Sequence, residues 1–456
     1  LLIAPFFPYS FGCGGFIVGA EGALGRSSLE QGARRGAMKA AVFRATGLLS
    51  LLLSLTGLGL AGCGGPQGFL VPAPSDAGAP GTSHVEMVVA TTRQRAESPA
   101  FLFGGGRAED VAFADMIVSI PPDAHRQIGE VQYPQQLPGN PETDFVTLKA
   151  DVVSREQAAS TFSRLLRSAH KKEALVFVHG FNTRFEDAVY SFAQILHDSR
   201  AYDDVAPVLF TWPSKGKVFA YGYDRDSSTF SRDALEKLLR HLQDDPQVET
   251  ISVLAHSMGN WVTLEALRQM AIRDGRLAPK IKLVMLADAD VDVGIARQQI
   301  NTLGPDRPHI VLFVSEGDRA LAASRDFWEE PRLGAIDPNV EPYRTMLEQE
   351  KLSVINMTHL PSHDPFGHGK FSSDPRVVEL IGRSLASGQS LSESRVGLGD
   401  RILMTTAGAA NTVGHAAGLA ISAPVSIVDP ETRDNFGDQL DAFGHSVRQI
   451  GSGFRN

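Results

Sequence analysis

The run over 251–260, Ile-Ser-Val-Leu-Ala-His-Ser-Met-Gly-Asn, constrains this chain more than any other segment. Apolar β-formers lead straight into a turn of small residues around Ser257. A helical pattern follows at Val262, Leu264, Ala266, Leu267 and Met270. The segment reads as a strand, a sharp turn with a serine at its apex, and a helix. A serine so placed sits in a strained backbone conformation, its Oγ exposed above the sheet edge and a helix N-terminus beneath it. Strand and helix pack this closely only when the residues two before and two after the serine are small, and here they are Ala255 and Gly259. Ser257 is therefore a candidate nucleophile. A serine hydroxyl is a poor nucleophile at neutral pH, so it needs a base and an orienting acid from elsewhere in the chain.

Periodicity places the rest of the chain around that turn. Strands are predicted over 85–91, 115–120 and 145–153, the second stopped by Pro121 and Pro122. Residues 123–144, rich in Pro, Gly and Gln, read as loop. The spacing of Ala158, Ala159, Phe162, Leu165 and Leu166 predicts a helix over 155–169. A strand-helix alternation then begins. Residues 174–178 are an unbroken apolar run, as in a strand buried on both faces. A helix over about 184–196, a strand over 205–211 and a helix over about 231–243 come next. Strand 250–254 leads to the serine turn and its helix. Strands over 281–286, 309–314 and 351–357 follow, with a closing helix from about 375. This pattern predicts an α/β domain with a mainly parallel sheet, whose site lies at the C-terminal strand ends.

The acid and the base are expected after later strands, in the order Ser, acid, His. Strand 309–314 opens into Ser315-Glu316-Gly317-Asp318, which makes Asp318 the expected acid and Glu316 its minor rival. Asp288, Asp290 and Asp292 compete one strand earlier. Their alternation hints at a cation site, but the spaced Gly and distant Glu of a calcium loop are absent. Asp290 reads instead as a loop-ordering or substrate-side residue. Three histidines follow the last strand: His359, His363 and His368. His368, flanked by Gly367 and Gly369, is the expected base, with His363 as the alternative. No metal-binding spacing joins the three, and no metal or organic cofactor is expected. One oxyanion donor comes with the turn, the Met258 N–H. The other is expected from the loop after strand 174–178, at the Phe181 N–H. His179, Asn182, Trp212, His256 and Asp290 are expected to line the pocket or support its loops, His179 and Asn182 through side-chain hydrogen bonds.

The ends of the chain carry a different signal. Residues 38–44 are a short basic stretch, and 47–60 is a Leu-dominated apolar run ending in Leu60-Ala61-Gly62-Cys63. The run is short and Gly-rich for a membrane span and fits a signal segment. Its end resembles the bacterial lipobox, in which the cysteine is acylated. A plain signal peptide, or a membrane helix with an incidental Cys, is the blander reading. The expected organisation is a mis-set start over 1–37, a lipoprotein signal over 38–62, a flexible tether over 63–84, the α/β domain over 85–387 and a small-residue-rich tail over 388–456. Either a helix packed on the domain or a loose appendage is preferred for the tail over a helical hairpin at a membrane. The two cysteines, Cys13 and Cys63, leave the domain without a disulfide framework. The net charge of −9, with no basic block, argues against a nucleic-acid partner.

The ordered set of motifs resembles the α/β-hydrolase fold and, within it, an uncharacterised bacterial branch of the esterase/lipase superfamily. The set comprises Ala90-Thr91-Thr92-Arg93, His179-Gly180-Phe181-Asn182, Trp212-Pro213-Ser214, Tyr221 with Asp224 and the 255–260 turn. It continues through Asp290-Val291-Asp292, Ser315 with Asp318-Arg319-Ala320-Leu321, and Gly367-His368. The resemblance implies a serine hydrolase cleaving small-molecule or lipid esters through an acyl-enzyme, with Ser257, His368 and Asp318 as its triad. Together with the lipobox it implies a lipid-anchored protein of the bacterial envelope, on the outer membrane where there is one. Two rivals are a peptidase or amidase on the same fold, and a non-catalytic envelope protein that binds a partner on this scaffold.

Overall fold

The computed structural model describes residues 68–73, 79–362 and 364–387. The expected segments at 1–37 and 38–62, Cys63, part of the tether, His363 and the tail from 388 lie outside the described residues. Nine strands lie among the described residues: β1 (Ser83–Arg95), β2 (Phe103–Ile120), β3 (Val146–Val153), β4 (Glu173–Val178), β5 (Val205–Thr211), β6 (Thr250–His256), β7 (Ile281–Ala287), β8 (His309–Val314) and β9 (Ser353–Asn356). They form one sheet in the order β3-β2-β1-β5-β4-β6-β7-β8-β9. β2 runs antiparallel to both its neighbours, and the remaining pairs are parallel.

Nine α-helices accompany the described strands: α1 (Arg155–Ser168), α2 (Phe185–Asp198), α3 (Tyr221–Asp244), α4 (Gly259–Asp274), α5 (Val293–Thr302), α6 (Arg319–Trp328), α7 (Tyr343–Gln349), α8 (Lys370–Ser373) and α9 (Pro375–Ser387). Alternation along the strands sends successive side chains to opposite faces. Val176, Val178, Val253 and Ala255 pack on one face against Leu165 of α1, Leu239 of α3 and Val262 of α4. Leu175, Phe177 and Leu254 pack on the other against Phe192 of α2 and Ile381 of α9. Both faces are covered, as the all-apolar strand 174–178 predicts. This is an α/β-hydrolase fold with a mainly parallel central sheet.

The order of the strands positions the site. The chain passes from β4 through α2 to β5 on one side, then returns past β4 to lay down β6, β7, β8 and β9 on the other. A crevice opens at the C-terminal strand ends where such a sheet reverses direction. Here the reversal lies beside β4 and β6. Val178 at the end of β4 pairs with Ala255, and Ala255 with Leu286. The loops that follow β4, β6, β7, β8 and β9 therefore meet along one edge.

Four elements depart from the periodic reading. β2 begins at Phe103, well before 115, because its first half is a Gly-rich, polar ribbon paired to the end of β1. α3 begins at Tyr221, not near 231. Its early turns bury Asp224, Ser227, Ser228 and Ser231, so no apolar period marks them. The short helices α5 and α6 start on aspartate caps, Asp292 and Asp318, each accepting an amide three residues on. Among the described residues no helix is long and apolar enough to cross a membrane.

Candidate active site

Ser257 stands between β6 and α4 with φ +52°, in the left-handed region that side chains other than glycine avoid. The turn is tied from both sides. The Ser257 N–H donates to the Ala287 carbonyl at 2.9 Å, and the Asp290 N–H donates to the Ser257 carbonyl at 3.2 Å. The buried Asn260 side chain donates to both the Ser257 and Ala287 carbonyls at 2.9 Å. Gly259 shows why this turn needs a residue without a side chain. A Cβ there would lie 2.4 Å from the His179 carbonyl oxygen.

Asp318 and His368 meet across the ends of β8 and β9. His368 Nδ1 is 2.6 Å from Asp318 Oδ2. Asp318 Oδ1 accepts the Leu321 N–H at 2.9 Å, so the same carboxylate caps α6 and orients the imidazole. Burial works against charge on His368, but the bond to Asp318 and its negative charge outweigh it. The imidazole is raised to about 9. Glu316, the rival acid, is exposed and its carboxylate faces the Thr358 hydroxyl. His359 is exposed. Among the described residues no hydrogen bond joins Ser257 to His368. Such bonds are often long without substrate and tighten when it binds.

The histidine loop is held by residues that carried no sequence signal. Asp364 accepts the Phe366 N–H at 2.8 Å and the Gly369 N–H at 3.1 Å. Lys370, buried, donates from Nζ to Ser315 Oγ and the Met357 carbonyl at 3.1 Å, and to the Thr358 carbonyl at 3.2 Å. It therefore ties the ends of β8 and β9 together beneath His368. His256 supports the loop from the serine side. Its Nε2 donates to the His368 carbonyl at 3.0 Å, and its ring stacks on Phe371. Burial and the neighbouring His368 push His256 down to about 3, which keeps it neutral.

The loop after β4 rests on a buried polar hub. Gly180 lies against the turn, since a Cβ on it would stand 2.7 Å from Ser257 Cβ. Among the described residues neither the Phe181 nor the Met258 N–H has an acceptor. Both are therefore free to donate to an oxyanion beside Ser257. His179 Nε2 accepts the Trp212 N–H at 3.1 Å, which places its ring hydrogen on Nδ1, 2.9 Å from the Gly180 carbonyl. Burial and the Arg93 charge hold this imidazole well below its ordinary value. Trp212 is fully buried, stacks on His179 and donates its indole N–H to the His179 carbonyl at 2.9 Å. It supports the loop and does not line a pocket. Asn182 corrects another expectation: its side chain is exposed. What it supplies is a positive φ of 56° and a backbone N–H to Asp224 Oδ2 at 3.2 Å.

Arg93 and Asp224 complete the hub. Arg93 is 1% exposed and donates to Thr211 Oγ1 at 2.7 Å, the Ser214 carbonyl at 2.9 Å and the Thr183 carbonyl at 2.8 Å. Its Nη2 also lies 3.2 Å from His179 Nε2. Burial lowers it to about 10 against the pull of Asp224, so it stays charged at neutral pH. Asp224 accepts the Ser214 hydroxyl at 2.5 Å and the Lys215 N–H at 2.8 Å. Removing Arg93 strands several buried acceptors at once. Arg93→Leu is expected to cost about 3–5 kcal/mol in urea unfolding. A loss under about 1 kcal/mol would show that the hub is not a unit.

The three aspartates after β7 take separate places. Asp292 caps α5. Asp290 accepts the Tyr221 hydroxyl at 2.7 Å and the Ser324 hydroxyl at 2.6 Å, on the wall beside Ser257. Asp288 is fully buried with both carboxylate oxygens unpartnered, and burial raises it well above the carboxylate range. Among the described residues no group of three His, Cys, Asp or Glu side chains is arranged to hold a metal ion.

The fold and the geometry at the β4, β6, β8 and β9 ends define the class as an α/β-hydrolase. A family described as "Alpha/beta hydrolase of unknown function (DUF900)" matches residues 154–384, half of the chain, and the chain belongs to that family. The uncharacterized protein alr1448 of Nostoc sp. is 27% identical over 151 residues, covering 28% of this chain and 39% of that protein. The match thus spans well under half the length of this curated relative. Among solved structures, a lipase-esterase related protein from Clostridium acetobutylicum is 13% identical with a TM-score of 0.25, covering 47% of this chain and 95% of that one. A fungal esterase from Rhizomucor miehei is 14% identical with a TM-score of 0.28, covering 70% of this chain and 87% of that one.

Proposed function

We propose that this protein is a serine hydrolase acting on carboxylic esters. Ser257 attacks the carbonyl carbon while His368 Nε2 takes its proton, and Asp318 holds the imidazole through Nδ1. The carbonyl oxygen becomes an oxyanion, to which the Phe181 and Met258 amides donate. His368 then protonates the departing alcohol, and water attacks the acyl-enzyme by the same route in reverse. The observation that carries this reading is the 2.6 Å Asp318–His368 pair on the loop stapled to His256, the residue preceding the strained serine.

The test is labelling of the full chain with a fluorophosphonate, followed by peptide mapping. A single adduct on Ser257 supports the reading. A folded protein that takes no label counts against it. Esters tested beside matched amides separate an esterase from a peptidase.

We further propose that Cys63 carries a lipid that holds the protein at the bacterial envelope, on the outer membrane where one exists. The support is the order of basic stretch, apolar run, small residues and cysteine. Expressed with an alkyne fatty acid, the wild type is expected to take up label and Cys63→Ser to lose it. Equal labelling of the two would sink the lipobox reading.

A further inference from the structure

Two arginines near Asp290 keep guanidinium donors that the described residues do not fill. Arg225 lies one turn beyond Tyr221 on α3. Its guanidinium carbon is 3.2 Å from the ring centroid of Trp261, in the first turn of the helix that Ser257 opens. Its hydrogen bond is to Thr229 Oγ1 at 3.4 Å, and among the described residues it makes no ion pair. Arg332 is 7% exposed. Its Nε is 3.8 Å from Asp290 Oδ1, too far for a hydrogen bond, and is left without a hydrogen-bond partner. A guanidinium carries five donors, and a buried one normally fills them.

The acidic groups nearby do not make up the difference. Asp290 already accepts from Tyr221 and Ser324. Glu265, the other carboxylate acting on Arg225, accepts from Gln299 and faces Arg232 at 3.9 Å. Burial lowers Arg225, and the Arg332 charge acts in the same sense against the opposing pull of Asp290. This region adjoins the reacting serine. The Asp290 N–H donates to the Ser257 carbonyl, and Tyr221 meets Phe181 edge-on at 5.1 Å.

We propose that Arg225 and Arg332 form a subsite for an anionic oxygen group of the substrate, a carboxylate or a phosphate, held beside Ser257. The substrate class is then an ester that also bears a negative charge; this inference rests on the reading of Ser257 as the reacting residue. A planar guanidinium matches either anion with paired N–H donors. A bound anion supplies an acceptor for the unpartnered Arg332 Nε and for the Arg225 donors that the single 3.4 Å bond to Thr229 leaves over.

Two measurements on the purified full chain test it. In the first, tryptophan fluorescence is titrated with glutarate and, separately, with inorganic phosphate, against sodium chloride at matched ionic strength. Trp261 reports directly, because Arg225 lies on its ring. A saturable response to either anion is expected, lost in Arg225→Gln and in Arg332→Gln. It should persist in Lys237→Gln, which removes one exposed charge about three turns along the same helix. The anion that saturates at the lower concentration identifies the group. Thermal unfolding of each variant confirms that it is folded. No saturable response, or one unchanged in folded Arg225→Gln, overturns the subsite.

The second measurement compares kcat/KM for para-nitrophenyl hydrogen glutarate with that for neutral para-nitrophenyl butyrate. The charged ester should be preferred, and the ratio should fall about 10- to 100-fold in Arg225→Gln. Turnover with no charge preference overturns the inference and leaves the esterase reading standing. Anion binding without turnover of either ester does the reverse.

Discussion

Replacing Ser257 with alanine should lower ester turnover by about a million-fold, the loss seen when the nucleophile of a serine hydrolase is removed. Fluorophosphonate labelling should vanish with it. The fold should survive, because the turn is tied by backbone groups and by Asn260, not by the serine hydroxyl. A glycine in the same place should behave differently in one respect. With φ +52°, a residue with a Cβ pays about 1 kcal/mol or more in backbone strain that glycine does not pay. Ser257→Gly should therefore match Ser257→Ala in lacking activity and exceed it in stability. Urea unfolding of the two variants decides the point. Residual turnover in Ser257→Ala within about tenfold of wild type would end the case for this nucleophile.

The second large effect falls on Asp318. Asp318→Asn should reduce kcat/KM by about ten-thousand-fold, because the amide no longer selects the tautomer that leaves Nε2 free to accept a proton. The amide oxygen can still cap α6, so the fold is expected to hold. The pH profile carries the more specific signature. A base works in its neutral form, and His368 in the wild type is raised to about 9. Activity should therefore climb from neutral pH, reach about half its plateau near pH 9 and level off only above it. With the Asp318 bond and charge gone, burial is opposed only by the smaller pull of Asp288 and Asp290, so the imidazole falls and the rising limb should move to lower pH. Asp288 is poorly suited to take over, since burial raises it well above the carboxylate range. A wild-type profile already flat above pH 7 would contradict the Asp318–His368 coupling.

How legible this was depends on the distance between partners along the chain. The serine turn is local: Ala255, Ser257 and Gly259 lie within five residues, and their sizes alone announce a tight strand-to-helix joint. The parallel strands are legible too, since 174–178 is an unbroken apolar run and 251–255 is interrupted only by Ser252, as expected of strands buried on both faces. The polar hub was not legible. Arg93 reaches Thr211, Ser214 and His179 over long sequence gaps, and nothing local marks it as the post beneath a loop. The start of α3 was hidden for a related reason. Its inward face carries Asp224, Ser227 and Ser228, so the usual apolar period is replaced by hydrogen bonds to β-strand ends and loops. Trp212 illustrates a third limit. An aromatic at a strand end fits a pocket wall or a loop support equally well on paper, and only the stacking on His179 separates them.

The staple formed by Lys370 has a consequence for where this molecule is vulnerable. The serine and the two amides proposed to hold the oxyanion hang from β4 and β6, in the middle of the sheet. The acid and the histidine hang from β8 and from the segment after β9, the four-residue strand at the rim. Rim strands open more readily than central ones. The proposed acid–base pair is thus mounted toward one margin of the sheet, and one ammonium group reaching Ser315, Met357 and Thr358 bolts it down. For the proposed hydrolase, catalytic competence and global folding are therefore expected to be separable: fraying confined to one margin would silence the proposed chemistry while the body of the sheet stayed intact.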